Sequence, residues 1–360
     1  MNIIQLLTTL SFGDAVSNDA LAIMNLLNSQ GRKVNTYAEN IDKRLESIPG
    51  VKGINSLPRI NDDDIVIYHL STGSELNRQI KALKGRKLMI YHNITPSGYF
   101  SPYSGIAARL CSKGRREVKA LTETFEACMC DSEYNMEELR QMGYKCPMAV
   151  RPILIPFEDY KKTPDPDVLA KYDDGVKNLL FVGRIAPNKK QEDLIRMVAA
   201  YNKLFDDKIR LILAGSATGT ENYDRRLKDY AELLGVDNVV FTGQISFAAI
   251  LALYRSCDVF CCMSEHEGFC VPLLEAMYFE KPILAASHAA IPGTLNGSGV
   301  LLEDNDPYKA AFCLKRLLDD KDLRDEIVRG QNERLKDFSY EKVSELFNVQ
   351  LERFIKGEGI

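Results

Sequence analysis

The chain has 360 residues, which corresponds to about two domains at roughly 150 residues per domain. Hydrophobic residues make up 45% and charged residues 27% of the sequence. These fractions are close to the globular average and exclude a disordered, collagen-like or coiled-coil chain. The formal net charge of −4 argues against a general nucleic-acid-binding protein. No run of about 18 apolar residues occurs, so no membrane-spanning helix is expected.

Short apolar segments alternate with helical patterns along the chain. Residues 1–10 have no basic region before their apolar residues, so they are predicted to form a first strand rather than a signal peptide. Further strands are predicted at Ile65–His69, Lys87–His92, Ala127–Asp131, Asn178–Gly183, Ile209–Gly215, Val239–Gly243, Asp258–Met263 and Pro282–Ala286. Helices are predicted at 18–30, 190–205, 223–234, 246–255, 307–319 and 339–354. Near-continuous apolar strands between helices are typical of α/β proteins whose parallel sheets are covered on both faces.

A proline-rich stretch, residues 151–167, interrupts this alternation. Its four prolines and mixed charges are typical of a linker between domains. We therefore predict a first domain over 1–155 and a second over 156–338, each of a size that suits one open α/β domain. The tail, 339–360, begins with the last predicted helix.

Basic residues are concentrated in residues 78–119, which hold ten bases and one acid, Glu117. An excess of this size indicates an anionic partner or surface, and a solvated helix face is the alternative. Five of these bases fall in a possible helix that we expect to face an anionic membrane or a lipid-diphosphate acceptor: Arg109, Lys113, Arg115, Arg116 and Lys119.

The sequence contains nine cysteines, an odd number, with no C-x-x-C pair. Since no export signal is recognised, free thiols in a reducing cytosol are expected. A buried free cysteine behaves as a small apolar side chain. A zinc site is the weaker alternative because its ligands would match no usual spacing. Those ligands would be Cys261, Cys262, His266 and Cys270.

Two basic residues, Arg184 and Lys189, follow the predicted strand Asn178–Gly183. Ligands of open α/β sheets bind beyond the carboxyl ends of the strands, so both side chains can converge on one anion. Arginine supplies a fork of donors and lysine a point charge, a combination that suits a diphosphate. The alternative is that each is an ordinary surface residue.

A second motif follows the predicted strand Asp258–Met263. Pro272 fits the first turn of a helix, and the amides of residues 268–270 just before it would then face an anion. Glu267 lies in the turn before this helix, and Glu275 lies about one turn inside it. A carboxylate beside an anion site is repelled unless it accepts hydroxyl or imidazole donors. Amides and basic side chains that bind a phosphate, next to carboxylates that accept hydrogen bonds from hydroxyls, therefore predict a nucleotide-sugar site.

Each of these residues also has a structural interpretation. Glu275 alone would favour the positive end of its helix. Gly215 and Gly243 would form ordinary turns at the ends of their strands.

In combination, the segments FVGRIAPNKK and SEHEGFCVPLLEAM resemble the retaining nucleotide-sugar glycosyltransferases of family 4, which have the GT-B fold. The Glu-x7-Glu signature of that family is present as Glu267 and Glu275. The segments LILAGS, VVFTGQIS and KPILA also fit, so the resemblance covers nearly all of 176–304. In the more diverged first half, IYHLSTGS and YHNITP resemble a bacterial subset that builds surface polysaccharides.

The resemblance implies two Rossmann-like, doubly wound parallel-sheet domains facing a cleft. The first, 1–155, would bind the acceptor and the second, 156–338, the donor, while the helix of 339–360 would pack back on the first domain. The reaction would move a hexosyl group from a nucleoside-diphosphate sugar to a growing glycan or lipid-linked acceptor, with retention at the anomeric carbon. GDP-mannose, a UDP-hexose and a deoxyhexose donor all remain open. The setting would be cytoplasmic, on the inner face of the cytoplasmic membrane.

The resemblance also implies roles for single residues. Arg184 and Lys189 would hold the donor diphosphate and stabilise the departing phosphate, so no metal or other cofactor would be required. Glu275 would bind the ribose hydroxyls and Glu267 the donor sugar. His92 matches an active-site histidine of the first domain, and a strand-end histidine with a local hydrogen bond is its structural alternative. The other donor-binding residues would be Gly13, Gly215, Gly243, Ile245, Gly268, Phe269, Cys270 and Val271.

Three positions depart from the family pattern. Cys270 replaces the second glycine of the usual GFG turn, Lys190 replaces a common glycine, and the first loop contains Gly13 as its one glycine. Two other functions share the architecture, a sugar-nucleotide epimerase and a non-catalytic partner subunit. The match extending through Glu275-Ala-Met argues against the first. The second, a non-catalytic subunit, is disfavoured because the four motif residues are all present: Arg184, Lys189, Glu267 and Glu275.

Overall fold

The computed structural model of the chain describes residues 1–360. Its strands are β1 Ile3–Leu10, β2 Val34–Ile41, β3 Val51–Gly53, β4 Ile65–Leu70, β5 Arg86–Tyr91, β6 Ala127–Cys130, β7 Met148–Val150, β8 Lys177–Val182, β9 Ile209–Ala214, β10 Val239–Gly243, β11 Val259–Cys262, β12 Ile283–Ala286 and β13 Val300–Leu302. Its α-helices are α1 Ala15–Ser29, α2 Leu76–Gln79, α3 Gly105–Ala120, α4 Glu133–Met142, α5 Pro166–Lys171, α6 Gln191–Leu204, α7 Glu221–Leu233, α8 Phe247–Ser256, α9 Val271–Tyr278, α10 Ile291–Leu295, α11 Pro307–Asp319, α12 Lys321–Leu335 and α13 Tyr340–Lys356. No helix combines the length and the apolar character needed to cross a membrane.

The strands form two sheets in which every pairing is parallel. The first has 7 strands in the order β3-β2-β1-β4-β5-β6-β7, and the second has 6 in the order β10-β9-β8-β11-β12-β13. In each sheet the order of connection reverses once, between β1 and β4 and between β8 and β11. This is the doubly wound arrangement, in which ligands bind at the reversal point beyond the carboxyl ends of the strands. The predicted α/β class with doubly wound parallel sheets is confirmed.

The chain divides into two compact units. Unit 1 comprises Met1–Ser97, Arg109–Pro156 and Phe338–Ile360, and unit 2 comprises Gly98–Ala108 and Phe157–Asp337. Segment 98–108 packs within unit 2 through Tyr103, whose ring meets the Tyr223 ring edge-on with centroids 5.1 Å apart. Asn222 also donates a hydrogen bond to the Tyr103 carbonyl. Each unit is therefore built from separate stretches of the chain.

Local sequence signals set the ends of several helices that frame the sheets. The Asp14 carboxylate accepts from the first amides of α1, and the Ser132 hydroxyl accepts from the first turn of α4. Such caps satisfy amides that have no partner inside the helix. Helix α4 ends at Gly143, whose φ of 101° is a left-handed conformation that favours glycine.

The last helix, α13, belongs to the core of unit 1. Its residues Val343, Phe347, Leu351 and Phe354 are buried in the cluster that also contains β1 and α1. Their spacing places them on one face of the helix. Burying each large apolar side chain contributes roughly 1.5–3 kcal/mol.

The proline-rich stretch that the sequence analysis interprets as a linker is partly core. Residues 153–155 are buried, and Arg151 is fully buried in unit 1, where its guanidinium makes two hydrogen bonds to the Asp19 carboxylate. Beyond Pro156 the chain enters unit 2 through a 3₁₀ turn, Phe157–Lys161. The part before Pro156 is buried rather than exposed as a linker because the apolar residues between its prolines pack against the sheet.

Candidate functional site

The loops after β8 and β11 lie side by side at the carboxyl edge of the second sheet, because these two parallel strands are neighbours. Two hydrogen bonds join the loops: Asn188 donates from its side chain to the His266 carbonyl at 3.0 Å, and the Glu265 amide donates to the Asn188 carbonyl at 2.9 Å. Asn188 is buried, so these bonds fix the separation of the two loops. The motifs that follow the two strands are thereby brought together.

Lys189 and Glu267 form an ion pair across this junction. The Lys189 Nζ atom lies 2.6 Å from each Glu267 carboxylate oxygen. The side chains are 21% and 10% exposed, respectively. Burial alone would lower the pKa of Lys189, but the adjacent Glu267 carboxylate raises it. Lys189 therefore remains charged at neutral pH.

The start of α9 supplies amides beside this ion pair. Cys270 precedes the helix with a φ of 74°, and no side chain caps the helix there. The hydroxyl of Thr294 donates to the Phe269 carbonyl at 2.7 Å and fixes the turn. Val271 opens the helix, and Gly268 lies two residues before its cap. A helix start without a side-chain cap, next to a lysine ammonium, is suited to bind an anion.

Glu275 lies on the same helix, and two tyrosines hold it. Its Oε1 accepts from the Tyr160 hydroxyl at 2.7 Å, and its Oε2 accepts from the Tyr254 hydroxyl at 2.6 Å. Burial raises the pKa of Glu275, and the two tyrosine donors oppose that rise. Neither tyrosine was predicted as a site residue. Tyr160 falls in the predicted linker and Tyr254 in an apolar helix, so only the fold brings them together.

The other residues predicted to bind the donor lie at different parts of unit 2. Arg184 follows β8, is exposed and makes no ion pair. A Cβ atom on Gly215 would lie 1.9 Å from the carbonyl oxygen of Gly183, so this glycine permits the close crossing of the loops after β8 and β9. Gly243 and Ile245 leave β10, the edge strand, which β9 separates from β8.

His92 follows β5 in unit 1 and belongs to a buried chain of polar side chains. Its Nδ1 lies 2.8 Å from Asp131 Oδ2, and its Nε2 lies 2.9 Å from His69 Nδ1. Asp131 in turn lies 3.8 Å from Arg151, which pairs with Asp19. The side chain of His92 is 1% exposed. Both ring nitrogens therefore have partners inside unit 1.

The hydrogen-bond pattern assigns the protons of the two histidines. The Gln5 amide nitrogen donates to the Ala20 carbonyl and the Thr36 hydroxyl, so its oxygen faces His69 Nε2 at 2.8 Å. His69 Nε2 must then carry a hydrogen. Burial, with the nearby His92, holds the pKa of His69 well below its usual value, so this ring is neutral and its Nδ1 accepts. His92 Nε2 is consequently a donor to His69.

His92 and Asp131 are coupled through their short contact. Burial by itself would lower the pKa of His92, but the Asp131 carboxylate raises it. Burial raises the pKa of Asp131, and His92 and Arg151 oppose that rise. His69 and Asp131 were not predicted as site residues, although Asp131 ends a predicted strand as His92 does. The same strand-end signal could have identified it.

The remaining predicted residues of unit 1 are nearer the surface. Gly13 lies in the loop before α1 with a φ of 81°. On α3, Arg115 turns inward and donates to Glu138 and to the Ile94 carbonyl, both at 2.8 Å. Lys113 lies 3.6 Å from Glu117. The other three bases of the predicted group are exposed: Arg109, Arg116 and Lys119.

Comparison with known proteins finds similarity mainly in the second half of the chain. Residues 167–334 match the model of the family described as glycosyl transferases group 1. The D-inositol 3-phosphate glycosyltransferase of Salinispora tropica is 34% identical over 178 residues, which are 47% of this chain and 37% of that protein. An alpha-1,4-N-acetyl-D-galactosaminyltransferase of Campylobacter jejuni, whose name specifies a PP-undecaprenol-linked substrate, is 28% identical over 170 residues, 46% of this chain and 45% of its own. The chain thus spans about two fifths of the length of the curated relatives it matches.

The solved structure of HepE from Anabaena, in complex with UDP and glucose, superimposes with a TM-score of 0.76 at 16% identity. The match covers 98% of this chain and 100% of HepE. The two doubly wound parallel sheets and this superposition show the GT-B fold. The sequence match to the glycosyl transferases group 1 model is confined to residues 167–334, within unit 2.

Proposed function

We propose that the protein is a retaining glycosyltransferase of family 4. It transfers a hexosyl group from a nucleoside-diphosphate sugar to a growing glycan or lipid-linked acceptor in cell-surface polysaccharide synthesis. The observation that carries the proposal is the partly buried Lys189–Glu267 pair beside the uncapped start of α9. This pair lies at the reversal point of the second sheet, where open α/β sheets bind ligands.

The diphosphate of the donor is assigned to Lys189, Arg184 and the first turn of α9. A lysine ammonium has three N–H donors, and Glu267 takes two of them, so one remains for a phosphate oxygen. Arg184 is exposed and can add a bidentate contact. These positive groups would stabilise the charge that grows on the departing diphosphate.

Because protein groups supply this charge, the proposed reaction requires no metal. EDTA is therefore not expected to lower turnover. Loss of turnover on chelation, restored by Mg²⁺ or Mn²⁺, would contradict the assignment of Arg184 and Lys189 to the leaving group.

The two glutamates are assigned to different parts of the donor. Glu275 would bind the ribose hydroxyls. Each of its carboxylate oxygens accepts one hydrogen bond from a tyrosine hydroxyl and can accept a second from the ribose. Glu267 would contact the sugar, which gains positive charge in the transition state. The Lys189 contact positions the Glu267 carboxylate before the donor binds.

Acceptor binding is assigned to unit 1. Both ring nitrogens of His92 are engaged with neighbouring side chains, so His92 would act as a positioning residue rather than accept a proton from the acceptor. The name of the Campylobacter relative supports a lipid-diphosphate-linked acceptor.

Helix α3 is the proposed contact with the inner face of the cytoplasmic membrane. Its exposed residues include Ile106 and Leu110, 68% and 45% exposed, and the bases Arg109, Arg116 and Lys119. Apolar side chains followed by bases are typical of helices that lie on anionic lipid surfaces.

Turnover measurements test the proposal. The protein is incubated with GDP-, UDP- and dTDP-linked sugars and with membrane lipid extracts as acceptors, and nucleotide release is followed. We expect acceptor-dependent release from one donor class and a product whose anomeric configuration, read by NMR, equals that of the donor. An inverted product would contradict retention. Release of no nucleotide under any combination would contradict the activity.

A further inference from the structure

Two thiols and a carboxylate meet at the carboxyl edge of the second sheet. Cys262 is the last residue of β11, Cys270 precedes α9, and Glu267 lies in the loop between them. One ligand atom from each of the three side chains lies within 4.8 Å of the other two. The two sulfur atoms are 3.9 Å apart.

This sulfur–sulfur distance is that of two free thiols in contact, and it also suits a shared metal ion. A disulfide requires its sulfurs to lie about 2.0 Å apart. Two thiolates bound to one tetrahedral Zn²⁺ at about 2.3 Å lie about 3.8 Å from each other. Cys262 and Cys270 are thus already spaced for a metal, within about 0.1 Å.

The three groups are also held in place before any ion binds. Cys262 is fixed by its strand and is 1% exposed, and Cys270 and Glu267 are 7% and 9% exposed. The left-handed backbone at Cys270 directs its side chain to Cys262. Two thiolates and one carboxylate leave the fourth tetrahedral position for a water molecule or another oxygen ligand.

The positive charge of Lys189 offsets the net charge of such a site. Zn²⁺ with two thiolates and one carboxylate carries a charge of −1, and the Lys189 ammonium beside Glu267 offsets it. The ion can take one oxygen of Glu267 while Lys189 keeps the other. Binding therefore adds no net buried charge, provided that both thiols release their protons.

We propose that Cys262, Cys270 and Glu267 form a binding site for a thiophilic divalent metal such as Zn²⁺. The site uses Glu267 and lies beside Lys189, so the metal opposes donor binding and takes no part in transfer; this consequence rests on the proposed function.

The site differs from the quartet considered in the sequence analysis. Cys261 points away from Cys262, since successive side chains of a strand face opposite sides of the sheet, and it packs in the apolar core of unit 2. His266 is not among the three grouped ligands. Glu267 is one of them, although the sequence analysis did not include it among the possible zinc ligands.

Metal titration tests the proposal. Cys128 and Cys146 form a second thiol pair 3.5 Å apart, so all proteins carry Cys146→Ser to remove it. Zn²⁺ affinity is measured by competition with a chromophoric chelator, and Co²⁺ is used to read the thiolate-to-metal charge-transfer band. We compare Cys262→Ala and Cys270→Gly with Cys261→Ala, which removes a neighbouring buried thiol outside the site. Circular dichroism confirms that each variant is folded.

We expect one ion per chain and the release of about two protons in the parent protein and in Cys261→Ala. Either Cys262→Ala or Cys270→Gly should weaken binding by at least tenfold, because even indirect changes to a metal site typically cost about 10–100-fold in affinity. The charge-transfer band should disappear with either change. Equal affinity in all variants, or no binding by the folded parent, would overturn the proposal.

A second titration separates this proposal from the proposed function. UDP and GDP are added to the zinc-loaded protein, and the donor-site assignment predicts that the bound nucleotide weakens zinc binding. If zinc binds as expected but no nucleotide changes its affinity, the metal site stands and its overlap with the donor site is refuted. If the parent binds no zinc, the metal site fails whatever the nucleotides do.

Discussion

The two sheets share one topology, and each carries polar side chains at the carboxyl ends of its strands, but these side chains differ in how many of their hydrogen-bonding groups have partners. In unit 1, His69, His92, Asp131 and Arg151 are buried and bond to one another. In unit 2, Lys189 retains a donor, Arg184 is exposed, and the start of α9 has no side-chain cap. A polar network whose members bond to one another stabilises a fold, whereas donors without a protein partner at the carboxyl edge of a parallel sheet are available to a ligand. The comparison favours a mainly structural role for the first group and, under the proposed function, donor binding for the second.

The largest effect is expected from breaking the buried network of unit 1. Arg151→Met leaves the carboxylate of Asp19 buried and unpaired, which typically costs about 3–5 kcal/mol. Urea denaturation measures the loss in the free energy of unfolding. Arg116→Met, on the exposed face of α3, is the control and should change it little. A stability of Arg151→Met close to that of the control would contradict a structural role for the network.

Glu267→Gln should have the next largest effect, this time on chemistry. If Glu267 contacts the sugar in the transition state, kcat should fall by about 10–1000-fold, or about 1.4–4 kcal/mol. The control is Glu265→Gln in the same loop, since Glu265 pairs with Lys190 at 3.1 Å. Melting temperatures show whether both variants are folded. An equal, small loss of kcat in the two variants would remove Glu267 from the reaction.

Glu275→Gln should act on binding more than on turnover. The ribose changes little during transfer, so losing its partner removes roughly uniform binding, and the donor KM should rise more than kcat falls. Tyr254→Phe, which removes one hydrogen bond to Glu275, should change KM in the same direction by a smaller factor. A fall in kcat with unchanged KM for Glu275→Gln would place the residue at the reacting sugar instead.

His92→Asn should lower turnover modestly and leave nucleotide binding intact, because His92 lies in unit 1. It should also change the pH dependence of stability. The folded pKa of His92 is raised above its usual 6.5, so its contribution is complete below pH 6.5 and is lost as the pH rises through the folded pKa. Wild-type unfolding free energy should fall over that window more steeply than that of His92→Asn. If the unfolding free energies of the wild type and His92→Asn changed with pH in the same way, and turnover were also unchanged, His92 would contribute neither to turnover nor to the pH dependence of stability.

The smallest effect per residue is expected at the surface of α3. Each exposed base near an anionic bilayer contributes up to about 1 kcal/mol to binding. Arg109→Gln with Arg116→Gln should weaken co-sedimentation with anionic vesicles at low salt, while Arg140→Gln, an exposed base on α4, serves as the control. Equal sedimentation with neutral and anionic vesicles would leave α3 as a solvated face.

Apolar strands and their periodicity were sufficient to predict the fold class and most of the buried strands. The strands Ile65–His69 and Asp258–Met263 were predicted to within one residue at each end of β4 and β11. Several elements were missed, and two of them show why: β2 contains Asn35, Glu39 and Asn40, and α12 is polar on most of its surface. Propensity and pattern carry little signal where tertiary pairing decides the structure.

The candidate site was only partly predictable, because contacts between distant segments depend on strand order. Lys189 and Glu267 are 78 residues apart in sequence, and their ion pair requires β8 and β11 to be neighbours. The charge of residues 78–119 shows the same limit. Arg86 and Arg115 pair with Glu126 and Glu138 from outside that segment, so its excess of bases is smaller in the fold than in the sequence.

The central claim is that unit 2 binds a nucleoside diphosphate between the loops after β8 and β11. Thermal unfolding with GDP, UDP, dTDP and ADP, for the wild type and Arg184→Ala, tests it most directly. A ligand that binds only the folded state at 100 times its Kd adds about 2.7 kcal/mol of stability. We predict that at least one nucleotide raises the Tm of the wild type and that Arg184→Ala loses most of that shift. No shift with any nucleotide, or an equal shift in both proteins, would contradict the claim.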